Sequence, residues 1–169
     1  MKNLRRGVLL CLLLAATAGC DRVTKHLAAT TLAGGPGYSF LADTVRLDYH
    51  ENPGGFLSAG ATWRPQLRRA VFQFANALVL VAAIWLATVS QWSRLGRVGF
   101  VMFLAGGISN LVDRIAFGTV IDFLNVGIGP IRTGIFNVAD VAIMVGIAIL
   151  LWDIRRNSYT PTVGSPRVD

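Results

Sequence analysis

Residues 70–89 read AVFQFANALVLVAAIWLATV, a run of 20 residues without a charged side chain. At 1.5 Å of helical rise per residue the run is about 30 Å long, which is the thickness of a bilayer's hydrocarbon core. Of the 169 residues in the chain, 53% are hydrophobic and only 15% are charged. Soluble domains carry about 25% charged residues, so this composition indicates lipid as the solvent of the fold.

Three further apolar runs are candidate spans, at residues 7–29, 98–117 and 138–152. In the first three of the four runs, length and content of Ala, Leu and Gly favour helices over strands, whereas the fourth, 138–152, is short for a span. The basic residues at the ends of the four runs are Lys2, Arg5, Arg6, Arg94, Arg97, Arg155 and Arg156. Since Lys and Arg concentrate in cytoplasmic loops, both termini are predicted to be cytoplasmic, with loops 30–69 and 118–137 on the outer side.

The loop 30–69 contains a strand signal. Residues 44–50, TVRLDYH, alternate polar and apolar side chains, and Asn52-Pro-Gly-Gly55 follows as a turn. We therefore predict an all-α integral membrane protein with four transmembrane helices and a small extracytoplasmic β-cradle. Residues 1–156 form a single domain in this prediction, and the polar residues 157–169 form a disordered cytoplasmic tail.

The first run admits a second interpretation, as a cleaved signal. Residues 1–20 have a basic start and an apolar middle, and they end in Thr-Ala-Gly-Cys, which resembles the cleavage site of a lipoprotein signal. However, Thr17 stands where an aliphatic residue is preferred, and the helical periodicity continues past Cys20. We predict that the run is retained as a spanning helix.

The formal net charge is +7, but the basic residues lie at the ends of apolar runs and are not interleaved with aromatic ones. This pattern indicates topology signals and contacts with membrane phospholipids, not nucleic-acid binding. The two cysteines and two histidines, Cys11, Cys20, His26 and His50, have no metal-site spacing. We expect a monomer that uses neither a metal nor a cofactor.

Charged residues inside the runs are functional candidates, because a charge at the bilayer centre costs about 2.5–3.5 kcal/mol. Asp21 and Lys25 are spaced i, i+4 near the outer end of the first run and are predicted to form an ion pair. Asn110, Asp113 and Arg114 share a face of the third run. For Asp113 we predict a structural role, with the adjacent arginine keeping the carboxylate ionised; Arg114 itself could hold loop carbonyls or substrate backbone.

Two more aspartates flank the short second outer loop. Asp122 follows the third run in an apolar stretch, and Asn137 and Asp140 begin the fourth run on one helix face. One interpretation is purely structural, with Asn137 as a helix N-cap and Asp140 in a favourable position in the helix dipole. The other is catalytic: if Asp122 and Asp140 approach, they share a proton, and together they can activate a water and polarise a carbonyl.

Five blocks of the chain, in this order, resemble the bacterial lipoprotein signal peptidase family (signal peptidase II), and the resemblance extends from the first run to Trp152. They are Asp21-Arg-Val-Thr-Lys25, Asn52-Pro-Gly54, Gly107-Ile-Ser-Asn-Leu-Val-Asp-Arg114, Val120-Ile-Asp-Phe123 and Phe136-Asn-Val-Ala-Asp140. The chain departs from the usual family pattern where Gly55 and Phe56 follow directly after Gly54.

The resemblance implies a bacterial inner-membrane aspartyl endopeptidase with its active site at the outer face. Its substrates would be diacylglyceryl-modified prolipoproteins, cut just before the lipidated cysteine. The catalytic pair would be Asp122 and Asp140. The supporting residues would be Asn52, Gly54, Asn110, Arg114, Asn137, Asp21 and Lys25. An alternative for the same aspartates is a small transporter or proton-relay protein without enzymatic activity.

Overall fold

The computed structural model describes residues 2–54 and 63–158 of the chain. Gly55 and Phe56, which depart from the family pattern, lie outside the described residues, as do residues 159–169 of the predicted tail. The four helices are α1 (Lys2–Thr31), α2 (Pro65–Val89), α3 (Arg94–Ala116) and α4 (Val138–Ser158). Each predicted apolar run is therefore confirmed as a helix, and α1 runs unbroken through Cys20.

The helices extend beyond the apolar runs where local signals allow. Helix α2 starts with Pro65, whose fixed φ suits the first helical position. Helix α3 starts four residues before the predicted run, because the Ser93 hydroxyl caps it and accepts from the backbone N–H groups of Leu95 at 3.1 Å and Gly96 at 3.2 Å. Helix α4 ends at Ser158, and the disordered tail from residue 157 stays a prediction.

In the part of the chain that the structure describes, three helices are long and apolar enough to cross a membrane: Leu4–Thr31, Pro65–Val89 and Arg94–Ala116. Helix α4 is not among them, since only residues 141–152, between Asp140 and Asp153, are uncharged. The chain is thus mostly helical with three candidate spans and a small antiparallel sheet. A membrane crossing by α4 stays a prediction.

Helix α3 lies at the centre of the bundle, where glycines bring its neighbours close. A Cβ atom on Gly146 of α4 would lie 2.6 Å from the carbonyl oxygen of Gly99, and one on Gly107 would lie 2.6 Å from Leu80 of α2. Small residues permit such close helix packing within a membrane. Large apolar side chains point outward instead, among them Phe74, which is 71% exposed.

The sheet is built from both loops, in the order β1 (Tyr38–Phe40), β2 (Val45–Asn52), β3 (Val120–Ile128) and β4 (Ile131–Arg132), with every pair antiparallel. The predicted strand 44–50 is confirmed as β2. Strands β3 and β4 were not predicted, because β3 lacks the polar–apolar alternation of a half-buried strand. The sheet packs through Phe123 on Ala28 and Leu32 at the end of α1.

Candidate active site

A group of four charged side chains, three of them buried, joins α1 to α3. The Lys25 ammonium lies 2.7 Å from Asp21 and 2.7 Å from Asp113, and the Arg22 guanidinium lies 2.6 Å from Asp113. Asp21, Lys25 and Asp113 are at most 3% exposed. Two cations face two carboxylates, so the group is neutral overall, as buried charges need to be.

This arrangement confirms the predicted Asp21–Lys25 ion pair and corrects the prediction for Asp113. Asp113 forms ion pairs, as expected, but its partners are Arg22 and Lys25 and not the adjacent Arg114. The reason is helical geometry, since consecutive residues on a helix point about 100° apart and do not face each other.

Asp21 also fixes the start of α4. Its carboxylate accepts from the Ser109 hydroxyl at 2.7 Å and from the backbone N–H of Ala139 at 2.8 Å. Ala139 is in the first turn of α4, where N–H groups have no partner within the helix and the helix dipole favours a negative charge. Asp21 thus holds α1, α3 and α4 together.

Asn110 connects the charged group to Asp140. Its side-chain oxygen accepts from Lys25 Nζ at 2.8 Å, and its Nδ2 donates to Asp140 Oδ1 at 2.8 Å. Because Lys25 can only donate, the Asn110 amide is oriented with its nitrogen toward Asp140. The orientation of this amide follows from the ion pair on α1.

Asn137 and Asp140 cap α4 reciprocally. The Asn137 side-chain oxygen accepts from the backbone N–H of Asp140 at 2.9 Å, and Asp140 Oδ2 accepts from the backbone N–H of Asn137 at 3.1 Å. This is a capping box with Asn and Asp in the usual roles of Ser and Glu. The structural interpretation of these residues is therefore confirmed, and it leaves the Asn137 Nδ2 group free for another contact.

That contact is Asp122. Asn137 Nδ2 donates to Asp122 Oδ1 at 2.6 Å, and Asn52 Nδ2 donates to Asp122 Oδ2 at 3.0 Å. Asp122 itself is 2% exposed. The fully buried Asn137 amide thus donates to the Asp122 carboxyl and, at 3.3 Å, to the Asn110 side-chain oxygen, and it accepts from the backbone N–H of Asp140.

Burial raises the pKa of Asp122 above its ordinary value of 3.8, and the negative charge of the nearby Asp140 raises it further. The hydrogen bonds from Asn52 and Asn137 act in the opposite direction, because they stabilise the carboxylate. Of these effects, burial is the largest. The structure thus places Asp122 within the electrostatic influence of Asp140 and raises its pKa.

Asn52 is held by a glycine turn. The backbone N–H of Gly54 donates to the Asn52 side-chain oxygen at 2.9 Å, which directs the amide nitrogen toward Asp122. Gly54 has a φ of 111°, and an added Cβ atom would lie 3.0 Å from the ring of Phe72 on α2. Both the backbone conformation and the space require glycine at this position.

The chain matches the sequence profile described as Signal peptidase (SPase) II over residues 13–156. It belongs to the signal peptidase II family. The lipoprotein signal peptidase of Desulforapulum autotrophicum is 34% identical over 156 residues, which cover 92% of this chain and 96% of the relative. That of Moorella thermoacetica is 32% identical over 79% of this chain and 84% of its own length. The family resemblance seen in the sequence is confirmed.

Two solved structures share the fold of this signal peptidase II. A bacterial membrane enzyme determined by the in meso method at 2.3 Å superposes with a TM-score of 0.79, at 21% identity and with 93% of each chain covered. A second, at 1.9 Å, gives a TM-score of 0.74 at 23% identity, over 86% of this chain and 92% of the other. The helices with the attached sheet are therefore a known membrane-enzyme architecture.

Arg114 lies beside the aspartates in this signal peptidase II. Its Nη1 donates to the Asn110 carbonyl at 3.2 Å, and its charge interacts with Asp140 and Asp122. Gln73 of α2 donates to the Arg114 carbonyl at 2.5 Å, which fixes the end of α3 against α2. Arg114 is thus a fixed positive charge at the edge of the site.

Sequence reasoning missed four contributors to the site: Arg22, Phe72, Gln73 and Ser109. Arg22 directly follows Asp21, and Ser109 directly precedes Asn110. Their positions next to predicted site residues could have identified them as candidates. Phe72 and Gln73 lie in an apolar helix without any distinguishing pattern. Among residues 2–54 and 63–158, no three His, Cys, Asp or Glu side chains are grouped as a metal site requires.

Proposed function

We propose that this signal peptidase II is an aspartic endopeptidase that removes signal peptides from lipoprotein precursors. Asp122 and Asp140 form its catalytic pair, and the cut falls before a cysteine that carries diacylglycerol. The main supporting observation is the buried amide of Asn137, which bonds to Asp122 at 2.6 Å and accepts from the Asp140 N–H at 2.9 Å. Relatives named lipoprotein signal peptidase support the substrate class.

In this proposal Asp122 carries the shared proton, because burial and the charge of Asp140 both raise its pKa. Its proton polarises the scissile carbonyl. Asp140 accepts the proton of a water that attacks this carbonyl, and it then returns that proton to the leaving amine. Paired carboxylates with separated affinities for the proton perform such hydrolysis without a covalent intermediate.

The remaining polar residues have positioning roles in the proposal. Asn52 and Asn137 hold both oxygens of Asp122, and Asn110 holds one oxygen of Asp140. The Arg114 guanidinium offers N–H donors that suit a substrate carbonyl next to the cleaved bond. Asp21 and Lys25 act one layer below, since they orient Asn110 and the start of α4.

We further propose that α4 is a fourth spanning helix, with both termini in the cytoplasm and the site at the outer face of the bacterial inner membrane. Its 21 residues have a length of about 31 Å, enough for the hydrocarbon core. Asp153 does not face lipid, because it is 2% exposed and accepts hydrogen bonds from the Ser93 hydroxyl and backbone N–H. The basic residues Arg155 and Arg156 then follow on the cytoplasmic side.

The deciding experiment is cleavage of a diacylglyceryl-modified precursor by purified protein, with Asp122→Asn and Asp140→Asn as variants. Each is expected to lower kcat/KM by at least about a thousandfold while membrane insertion is retained, because an amide has the shape of the carboxyl and keeps one of its two accepted hydrogen bonds but cannot transfer the proton. Asp48→Asn, on the exposed face of β2, is the matched control and is expected to cleave normally.

Substantial cleavage by either dyad variant would refute the catalytic pair. Proton flux through wild-type proteoliposomes, lost in the same variants and without precursor cleavage, would instead favour the proton-relay alternative. Tolerance of both changes in both assays would leave the aspartates as helix–helix contacts only.

A further inference from the structure

One face of α1 carries two cavities, one above the other, outside the aspartate pair. The upper cavity has a volume of about 380 Å³ and lies between α1, α3, β2 and β3. Its polar lining consists of Arg22, Lys25, His26, Tyr49, Glu51, Asp113 and Thr119. The lower is an open groove of about 620 Å³ along the first half of α1, lined by Leu4, Gly7, Val8, Cys11, Leu12 and Ala15.

The two cavities are in line. Ala15 and Arg22 are seven residues apart, which is close to two helical turns, so they share one face of α1 and are separated by about 10 Å of rise. Leu4, at the lower end of the groove, is 18 residues from Arg22, or five full turns, and is therefore on the same face. A polar cavity thus lies above an apolar groove on one stripe of the helix.

The depth of the upper cavity matches the edge of a membrane. Counted from Gly7, which follows the basic N-terminal segment, Arg22 lies about 22 Å and His26 about 28 Å along the helix. The hydrocarbon core is about 30 Å thick, so His26 lies at its far boundary, where phospholipid headgroups begin, and the long Arg22 side chain starts about 8 Å below that boundary and can extend to it. The groove below them lies within the hydrocarbon.

The upper cavity offers donors for an anion on its α1 side. Arg22 Nη1 lies 2.6 Å from Asp113, but its side chain is 44% exposed and a guanidinium has five N–H donors. Within residues 2–54 and 63–158, the His26 ring makes no hydrogen bond that would occupy it. Donors at this depth need an acceptor, and a phosphate oxygen is a strong partner for arginine.

The opposite wall of the upper cavity is suited to a cation. Glu51 accepts from the Tyr49 hydroxyl at 2.8 Å and from the Thr119 hydroxyl at 3.5 Å, and it is exposed. No cation lies within ion-pair distance of Glu51 in the described part of the chain. The cavity is therefore lined by the Glu51 carboxylate on its β2 side and by the exposed guanidinium of Arg22, which also contacts Asp113, on its α1 side.

We propose that this face of α1 binds a zwitterionic phospholipid. Its phosphate contacts Arg22 and His26, its ammonium group contacts Glu51, and one acyl chain lies in the groove below, over Cys11 and Ala15. The separation of charges in the upper cavity selects the headgroup, and the apolar groove beneath it requires an attached hydrocarbon chain. The site is separate from the proposed catalytic pair and does not depend on it.

The test is native mass spectrometry of the full chain, delipidated in detergent and offered equal amounts of phosphatidylethanolamine and phosphatidylglycerol. The wild type is expected to retain one phosphatidylethanolamine in preference to phosphatidylglycerol. Arg22→Gln is expected to weaken retention of both lipids about tenfold or more, whereas Glu51→Gln removes only the preference for the ethanolamine lipid. Ala15→Phe fills the groove and is expected to weaken retention of both.

Matched controls are available on the same elements. Ala16→Phe adds the same bulk at an exposed neighbouring position outside the groove, and Arg46→Gln removes another arginine that is paired with a carboxylate, Asp43. Both are expected to bind lipid like the wild type. Equal retention by wild type, Ala15→Phe and Glu51→Gln would overturn the proposal, and these two changes disturb no buried contact.

Two further outcomes would also overturn the proposal. If soluble phosphoethanolamine displaced the bound lipid at equimolar concentration, the groove would contribute nothing to binding. If a lipoprotein-derived peptide, but no lipid, protected the upper cavity from histidine-directed labelling at His26, the occupant would be a peptide and not a phospholipid.

Discussion

Replacement of Asn137 separates its structural role from its proposed catalytic one. The residue is fully buried, it caps α4 through its side-chain oxygen, and it donates from Nδ2 to Asp122 at 2.6 Å. Asn137→Ser keeps a cap of the preferred type but has no atom that can reach Asp122. Asn137→Ala loses both contacts.

The two contacts differ in their expected energies. The cap contributes about 1 kcal/mol, so Asn137→Ala is expected to melt about 2–4 °C below Asn137→Ser for a chain of this length. A hydrogen bond to a charged or shared-proton carboxyl contributes about 1.5–3 kcal/mol, which corresponds to a loss of roughly 10- to 150-fold in kcat/KM. Both variants should show this loss, because neither retains the bond to Asp122.

The assay combines thermal unfolding in detergent with kcat/KM on a diacylglyceryl-modified precursor. Ser93→Ala is the matched control, since it removes the N-cap at the start of α3, whereas Asn110, which contacts Asp140, lies near the end of that helix. It is expected to lower the melting temperature and leave kcat/KM unchanged. If Asn137→Ser regained activity together with stability, Asn137 would be a cap only, and the role assigned to its bond with Asp122 would be wrong.

Three other changes probe the surroundings of the pair. If cleavage needs the proton on Asp122, kcat/KM should decline as the pH rises through the raised pKa of Asp122. Asn52→Ala removes a hydrogen bond that lowers this pKa, so the alkaline limb of the kcat/KM profile should move to higher pH. A shift to lower pH would contradict the assignment of the proton to Asp122. Lys25→Met leaves the buried carboxylates of Asp21 and Asp113 without their shared cation and should lower the free energy of unfolding by about 3–5 kcal/mol. A second change in the same chain, Asp113→Asn, should restore part of this stability when unfolding is measured in detergent. Gly54→Ala imposes a strained φ at a cost of about 1–3 kcal/mol and should lower kcat; an unchanged kcat would mean that the turn does not hold the amide next to it.

Hydrophobic length was sufficient to predict the four helices, because a run of about 20 apolar residues has few alternatives to a helix. The i, i+4 spacing of Asp21 and Lys25 was likewise sufficient for their ion pair, which the structure confirms. The partners of Asp113 could not be derived in this way. They come from a different helix, and spacing within one helix says nothing about which neighbour packs against it.

The sheet shows the same limit. Strand β2 carries the alternation of a half-buried strand and was predicted, whereas β3 is buried in part on both faces and reads as an ordinary apolar stretch. Its pairing places His50 opposite Asp122 and Asn52 opposite Val120. The proximity of Asn52 to Asp122 therefore depends on a register between two distant loops, and only the family resemblance indicated that these residues belong to one site.

The division of the site between two loops and two helices has a consequence for biogenesis. Asn52 is made long before Asp140, and at 5–20 residues per second the ribosome needs roughly 4–18 s to synthesise the intervening segment. Until α4 has been synthesised and β3 has paired with β2, Asp122 and Asp140 cannot come together. Synthesis itself thus delays the onset of proteolysis, so an enzyme that matures other secreted chains acquires its activity only after its own insertion is complete.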